Sequence, residues 1–174
     1  MIYIEIDFSH KDFFIDEAKI KTLAESICSY LSLNDYELSI KIVDNKTIKE
    51  LNKQFRNKNS ATDVLSFPLI EWNKPLLVGD KKPEESIKEQ QGHSTLLGDI
   101  VISLEQAQDN ALSVQQNIDR EFCFLIVHSV LHLCGHDHKE LEQEKTMIAQ
   151  QKQLMNLLEN QNPPLWENCI KEST

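Results

Sequence analysis

Between Phe122 and Cys134 the chain is apolar almost without interruption, the exceptions being His128, Ser129 and His132. Read as a helix over roughly Arg120 to Cys134, this segment carries Phe122, Leu125, Ile126, Val130, Leu131 and Leu133 around its circumference. So little polar face remains that the helix must be buried on nearly every side. It is shorter than the roughly 18 residues a membrane span needs, so its expected surroundings are a protein core. Imidazoles four residues apart are 1.1 turns apart and project from one face. Two of them withdrawn from water need a shared partner to offset the loss of hydration. Any fold that accepts this helix is therefore expected to be organised around the pair.

Gly135, three residues past His132, can take the left-handed conformation that ends a helix and turns the chain back. That turn lets His138 reach the point at which His128 and His132 aim. Three neutral imidazoles at about 2.0–2.1 Å leave a fourth tetrahedral position open, as in catalytic rather than closed structural zinc sites. The expected site is one zinc ion on His128, His132 and His138, with another imidazole-preferring divalent metal as the alternative. His136 is a competing third ligand, expected at the turn to face solvent or substrate. Cys134, two residues beyond His132, falls on the other side of the helix and reads as core.

The remaining sequence suits one domain. A chain of 174 residues, 40% apolar, can bury one core, and no repeat or low-complexity tract divides it. We read residues 1–160 as a single hydrolase domain with a long exposed loop at 69–95, and 161–174 as a loosely packed tail. Ile2, Ile4, Ile6 and Phe8 alternate as a strand, as do Tyr36, Leu38, Ile40 and Ile42. Ile20, Leu23, Ala24, Ile27 and Leu31 give a helical stripe between them. Asp44 is placed to cap a second helix that ends near Arg56, followed by strands at 63–67 and 97–102. Ser103 with Gln106 forms a candidate capping box for the next helix. A last helix is expected to bury Leu141, Ile148, Leu154 and Leu158.

The four cysteines are scattered, with no C-x-x-C pair, which fits a reducing cytoplasm. The N-terminus lacks the basic region and cleavage site of a secretory signal, and no membrane association is expected. A net charge of -10 argues against charge-driven binding of nucleic acid over the whole surface. One segment runs the other way: Lys41, Lys46, Lys49, Lys53, Arg56 and Lys58 face only Asp44 and Glu50. A solvated helix face is the ordinary explanation of such a run.

The spacing H-x-x-x-H-x-x-G-x-x-H is shared with metzincin peptidases. Those enzymes place a glutamate general base directly after the first histidine, where this chain has Ser129, whose hydroxyl cannot take a proton at neutral pH. Peptide hydrolysis is thereby disfavoured. An attacking group supplied by the substrate, or by water activated by the ion, suits the residues better.

His128-Ser-Val-Leu-His132-Leu-Cys-Gly135-His-Asp-His138 resembles the H-G-x-L-H-L-x-G-Y-D-H signature of the YbeY endoribonucleases. The segment from Leu51 to Pro68 is similar to that family's L-N-x-x-Y-R-x-K-x-x-x-T-D-V-L-S-F-P box, and Leu97 to Ile102 to its L-G-D-I-x-I strand. The resemblance implies an α+β fold, with a mixed sheet of about four strands packed against helices and the three-histidine site on the buried helix and following turn. It implies a metal-dependent, single-strand-specific endoribonuclease acting in small-subunit ribosomal RNA maturation and ribosome quality control. Expected partners are ribosomal RNA and ribosomal particles, with small-subunit proteins or assembly factors as further candidates. The family's important arginine falls on Arg56, whose guanidinium could hold a phosphodiester in two-pronged fashion. Departures from the motif are Ser129 for glycine, His136 for tyrosine, and a longer segment at 69–95. Asp63, Asp99 and Asp137 are candidates for orienting the histidines, with capping or turn roles as the alternative. Two other function classes share the histidines: a metal-dependent amidase or peptidase, and a ribosome-assembly protein in which metal only braces the fold.

Overall fold

The computed structural model describes residues 1–7, 13–81 and 95–172. Its centre is a four-stranded mixed sheet. Strands β1 (Ile2–Asp7), β2 (Phe13–Ile15), β3 (Tyr36–Val43), β4 (Val64–Pro68), β5 (Thr95–Ser103) and β6 (Ile170–Glu172) are joined by five helices among the described residues. These are α1 (Glu17–Tyr30), α2 (Asn45–Arg56), α3 (Leu104–Ser113), α4 (Ile118–Leu133) and α5 (Leu141–Glu159). The sheet order is β1-β3-β5-β4, parallel except for β4, which runs antiparallel to β5 at one edge. Parallel neighbours need crossover connections, and α1 and α2 lie in the two crossovers.

Alternation along the strands decides which layer each helix joins. Leu38, Ile40, Ile42, Ile100 and Ile102 share one core with Ile20, Leu23 and Ile27 of α1 and with most of α4. Val43, Leu65 and Val101, from the other face, pack with Ile48 of α2 in a smaller cluster. Helix starts follow the chain's own polar residues: Asp16 accepts from Lys19 N, Asp44 from Thr47 N, Ser103 from Gln106 N and Asn117 from Asp119 N. The capping box expected at Ser103 forms only half. The Gln106 amide donates to Asp109 instead of returning to the cap.

Two expectations fail because the contacts that decide them are non-local. The tail is tied down: β6 pairs with β2, Cys169 is buried, and the Asp119 carboxylate accepts from Asn168 N at 2.9 Å and Ile170 N at 2.6 Å. Of the loop at 69–95, residues 82–94 lie outside the described residues. Residues 69–81 have no regular structure, as expected, yet they are not simply exposed. Leu76 is buried, and Ile70, Trp72 and Val78 pack on the main core. In α5, Leu141 and Ile148 are exposed, and the buried stripe is Met147, Leu154, Met155 and Leu158. No helix among the described residues is long and apolar enough to cross a membrane.

Gly98 sets how closely α4 approaches the sheet. Its φ of +152° disfavours other residues, and a Cβ there would collide with the Phe67 carbonyl oxygen and lie 2.9 Å from Leu133 Cδ2 of α4. A methyl group forced into packed surroundings costs about 1–3 kcal/mol, with backbone strain in addition. Gly98→Ala should therefore lower the thermal midpoint by several degrees, measurable by circular dichroism. An unchanged midpoint would show that Leu133 and β4 give way freely.

Candidate metal centre

The site is assembled from the end of α4 and the turn that follows. Twelve residues of α4 are buried, which holds the helix from all sides and leaves His128 and His132, both half-buried, on the one face that opens outward. Their rings lie edge to face with centroids 4.6 Å apart. The helix stops in the manner Gly135 permits. Gly135 has a φ of +86°, its N–H reaches the His132 carbonyl at 3.1 Å, and His136 N–H reaches the Leu131 carbonyl at 3.0 Å. That pair of bonds is the Schellman arrangement, in which a left-handed residue satisfies the last carbonyls of a helix. The reversed chain brings the His138 ring to 5.2 Å from His132 and 6.0 Å from His128. One ligand atom from each of the three lies within 4.8 Å of the others.

Hydrogen bonds on the far side of two rings settle what faces inward. His128 Nδ1 is 3.0 Å from Gln151 Oε1 of α5, and His132 Nδ1 is 2.9 Å from the His136 carbonyl oxygen. Both partners only accept, so both Nδ1 atoms carry the proton. The two Nε2 atoms, which as neutral imidazoles hold lone pairs, face each other at 3.1 Å. Burial keeps them neutral. It lowers His128 from the ordinary histidine value, and with the neighbouring His128 it pushes His132 down to about 4. Two converging lone pairs repel unless a cation lies between them. Tetrahedral ligands at 2.0–2.1 Å stand about 3.3 Å apart, close to the spacing found. The three histidines therefore fit a divalent metal ion.

The other candidate residues divide. His136, expected to face solvent or substrate, is instead buried, with Nε2 at 2.6 Å from the Leu76 carbonyl. The packed segment at 72–78, invisible to sequence periodicity, draws it inward. Ser129 is fully buried on the core side of α4, so it has no access to a substrate. Cys134 is buried, as expected. Asp137 accepts from His138 N at 2.8 Å and pairs with Lys139 at 2.7 Å, a turn role. Asp99 is exposed on β5. Asp63 lines the cleft with His128, its carboxylate held by Val64 N at 2.8 Å and Asn110 Nδ2 at 3.1 Å. Arg56 is exposed in the last turn of α2, apart from the residues that line the cleft. Of the basic segment, Lys41 is committed to Glu5 and Asp7 at 3.0 and 3.2 Å, whereas Lys46, Lys49, Lys53, Arg56 and Lys58 are exposed.

The cleft beside the histidines encloses about 260 Å³ between β4, α4 and α5. Phe124, Met147 and Ile148 give it apolar walls, and Asp63, Glu144, His138 and Gln151 give it polar ones. Gln151 and the His136 carbonyl are functional groups that histidine spacing does not reveal. Gln151 does leave a trace: it occupies the stripe of Met147, Leu154 and Leu158, where an apolar residue would be the usual choice.

A pH dependence follows for the metal-free protein. Because the folded state holds His132 near 4 and the unfolded chain near 6.5, the unfolded chain binds the additional proton between those values. Stability should fall as pH drops through that window and receive no contribution from this group above about 7. Denaturant midpoints at about pH 7.5 and 5 should show a smaller drop in His132→Gln than in wild type. Equal drops would mean that His132 is not held neutral.

The chain matches the family Endoribonuclease YbeY over residues 5–159. An Endoribonuclease YbeY of Caldicellulosiruptor bescii is 41% identical over 145 residues, which cover 81% of this chain and 87% of that protein. One of Clostridium botulinum (strain 657) is 39% identical over 143 residues, covering 79% and 84% respectively. The solution structure of TM1509 from Thermotoga maritima superimposes with a TM-score of 0.56 at 26% identity, covering 90% of this chain and 87% of that one. The match runs across most of the chain and takes in the three clustered histidines, and the protein belongs to the YbeY endoribonuclease family.

Proposed function

We propose that this protein is a single-strand-specific endoribonuclease, that it holds one zinc ion on His128, His132 and His138, and that it acts in the cytoplasm in small-subunit ribosomal RNA maturation and ribosome quality control. The observation that carries the proposal is the pair of Nε2 atoms facing each other at 3.1 Å beside an open cleft. When bound there, the metal supplies Lewis acidity toward a phosphate oxygen. The rest of the chemistry belongs to the chain. Gln151 and the His136 carbonyl hold the imidazoles in the ligating tautomer, so neither ring has to lose a proton or change tautomer to bind metal. Phe124, Met147 and Ile148 offer an apolar wall to an unpaired base, and the cleft is far too small for a duplex.

Arg56 is assigned to the scissile phosphate. The α2–β4 connection leads from it directly to Asp63 in the cleft wall. Asn52 shapes that connection, its side chain donating to the Ser60 carbonyl at 2.8 Å while its own carbonyl accepts from Lys58 N at 3.3 Å. A guanidinium can take two phosphate oxygens at once and offset charge that develops at phosphorus. The exposed lysines of α2 extend this into a basic strip on an otherwise acidic protein. Net repulsion from RNA elsewhere favours docking on a ribosomal particle over tight binding to free RNA.

Cleavage of a defined small-subunit ribosomal RNA fragment by metal-loaded protein tests the assignment. His132→Ala should lose stoichiometric metal and cleavage together. Arg56→Ala should keep metal and fold but lose about 100-fold or more in rate, as for removal of one group that stabilises developing charge. Wild-type cleavage by His132→Ala would refute the proposal, and turnover of peptides indifferent to Arg56→Ala would replace it with an amidase.

A further inference from the structure

Two of the three places where the chain departs from the motif meet in the structure, His136 and the described part, residues 69–81, of the segment at 69–95. Leu76 and Trp72 clasp the turn that carries the metal ligands. The Trp72 indole N–H donates to the Leu133 carbonyl at 2.7 Å, and Leu76 N–H donates to the Cys134 carbonyl at 3.1 Å. In return the Leu76 carbonyl accepts from His136 Nε2 at 2.6 Å. Gly135 is in close contact from above: a Cβ on it would lie 3.2 Å from Trp72 Cβ and 3.6 Å from Pro75 Cα. The far end of the segment is anchored separately, with Val78 N–H donating to Gln150 Oε1 at 2.7 Å and Gly79 N–H to the Tyr30 carbonyl at 3.1 Å.

From this geometry we infer that residues 72–79 form a brace for the metal-binding turn and that His136 is the positioning residue through which the brace acts. His136 is held at both ends. Its ring is tied to Leu76, and its carbonyl accepts the Nδ1 proton of His132 at 2.9 Å. The carbonyl therefore fixes the tautomer and tilt of His132, and the ring fixes the carbonyl. Two residues later the same turn delivers His138. Trp72 and Leu76 also supply donors to the carbonyls of Leu133, at the end of α4, and of its C-cap Cys134, which a helix end would otherwise leave to water or to nothing. His136 itself is not a ligand: it is buried with its Nε2 committed to Leu76.

The inference rests on the metal reading above, and its test separates the two. Zinc affinity of the full chain is measured by chelator competition, together with the visible absorption of the cobalt-substituted protein. His136→Phe keeps a ring but loses the donor, and Trp72→Phe keeps an aromatic ring but loses the indole N–H together with part of the packing. Each is expected to weaken zinc binding about 10- to 100-fold, the usual range for groups that orient a ligand, and to alter the cobalt bands. His136→Gln, whose amide N–H can replace the Nε2 donor, should recover most of the affinity. A merely structural brace would lower the thermal midpoint of the metal-free variants and leave zinc affinity and the cobalt spectrum of the folded fraction unchanged. That result overturns the inference. Failure of the wild-type chain to bind zinc or cobalt would refute the metal reading itself, and the brace with it, whereas binding that is equal in all variants refutes the brace alone.

Discussion

Two imidazole nitrogens that both carry lone pairs face each other across 3.1 Å, and neither can turn away. His128 is held by Gln151 from α5 and His132 by the carbonyl of its own turn. Protonation of one ring would relieve the repulsion, but burial opposes it. The arrangement is a local conflict that a cation between the two nitrogens removes. Much of the fold can be read as the apparatus that maintains this conflict. An α4 buried around most of its circumference resists rotation, a glycine turn returns His138, and a segment from between two strands covers the turn.

The sheet contributes at a distance. Gly98 lets α4 settle against β4 and β5 through Leu133, one residue past His132. β4, the antiparallel edge strand, brings Asp63 and Val64 to the cleft, and the carbonyl of Asp63 accepts from Ser103 N–H at 2.8 Å at the end of β5. Asn110 then bridges Asp63 and the buried Glu121 at 3.1 and 3.3 Å. Desolvation raises the Glu121 pKa, and the side chains of Asn110 and Gln116 work in the opposite direction. The cleft wall and the metal helix are thus linked by polar contacts as well as by packing, which keeps the distance between Asp63 and His128 from being set by loops alone.

What the sequence disclosed was local. The helix spacing of His128 and His132, the left-handed Gly135, and the caps at Asp44 and Ser103 each depend on residues within one or two turns. The alternation of Leu38, Ile40 and Ile42 was equally plain, since both neighbours of β3 share its period. Contacts between distant segments left no such trace. The bond between His136 and Leu76 spans 60 residues, and neither member shows a periodicity that would pair them. β2 and β6 are three residues each, too short for alternation to register, and the buried Asp119 that holds the start of β6 is 51 residues away from Ile170 in sequence. The trace left by Gln151 was obscured for a different reason: Leu141 and Ile148 suggested a stripe that the helix does not bury.

The most direct test of the account is X-ray absorption spectroscopy at the metal edge of the zinc-loaded protein. Three imidazole nitrogens at about 2.0–2.1 Å, with a fourth light-atom position exchangeable with solvent, are predicted. A sulfur scatterer at about 2.3 Å, or a fourth imidazole in place of that position, would contradict it. The first would mean that a buried cysteine had left the core, and the second that His136 had left Leu76 to become a ligand.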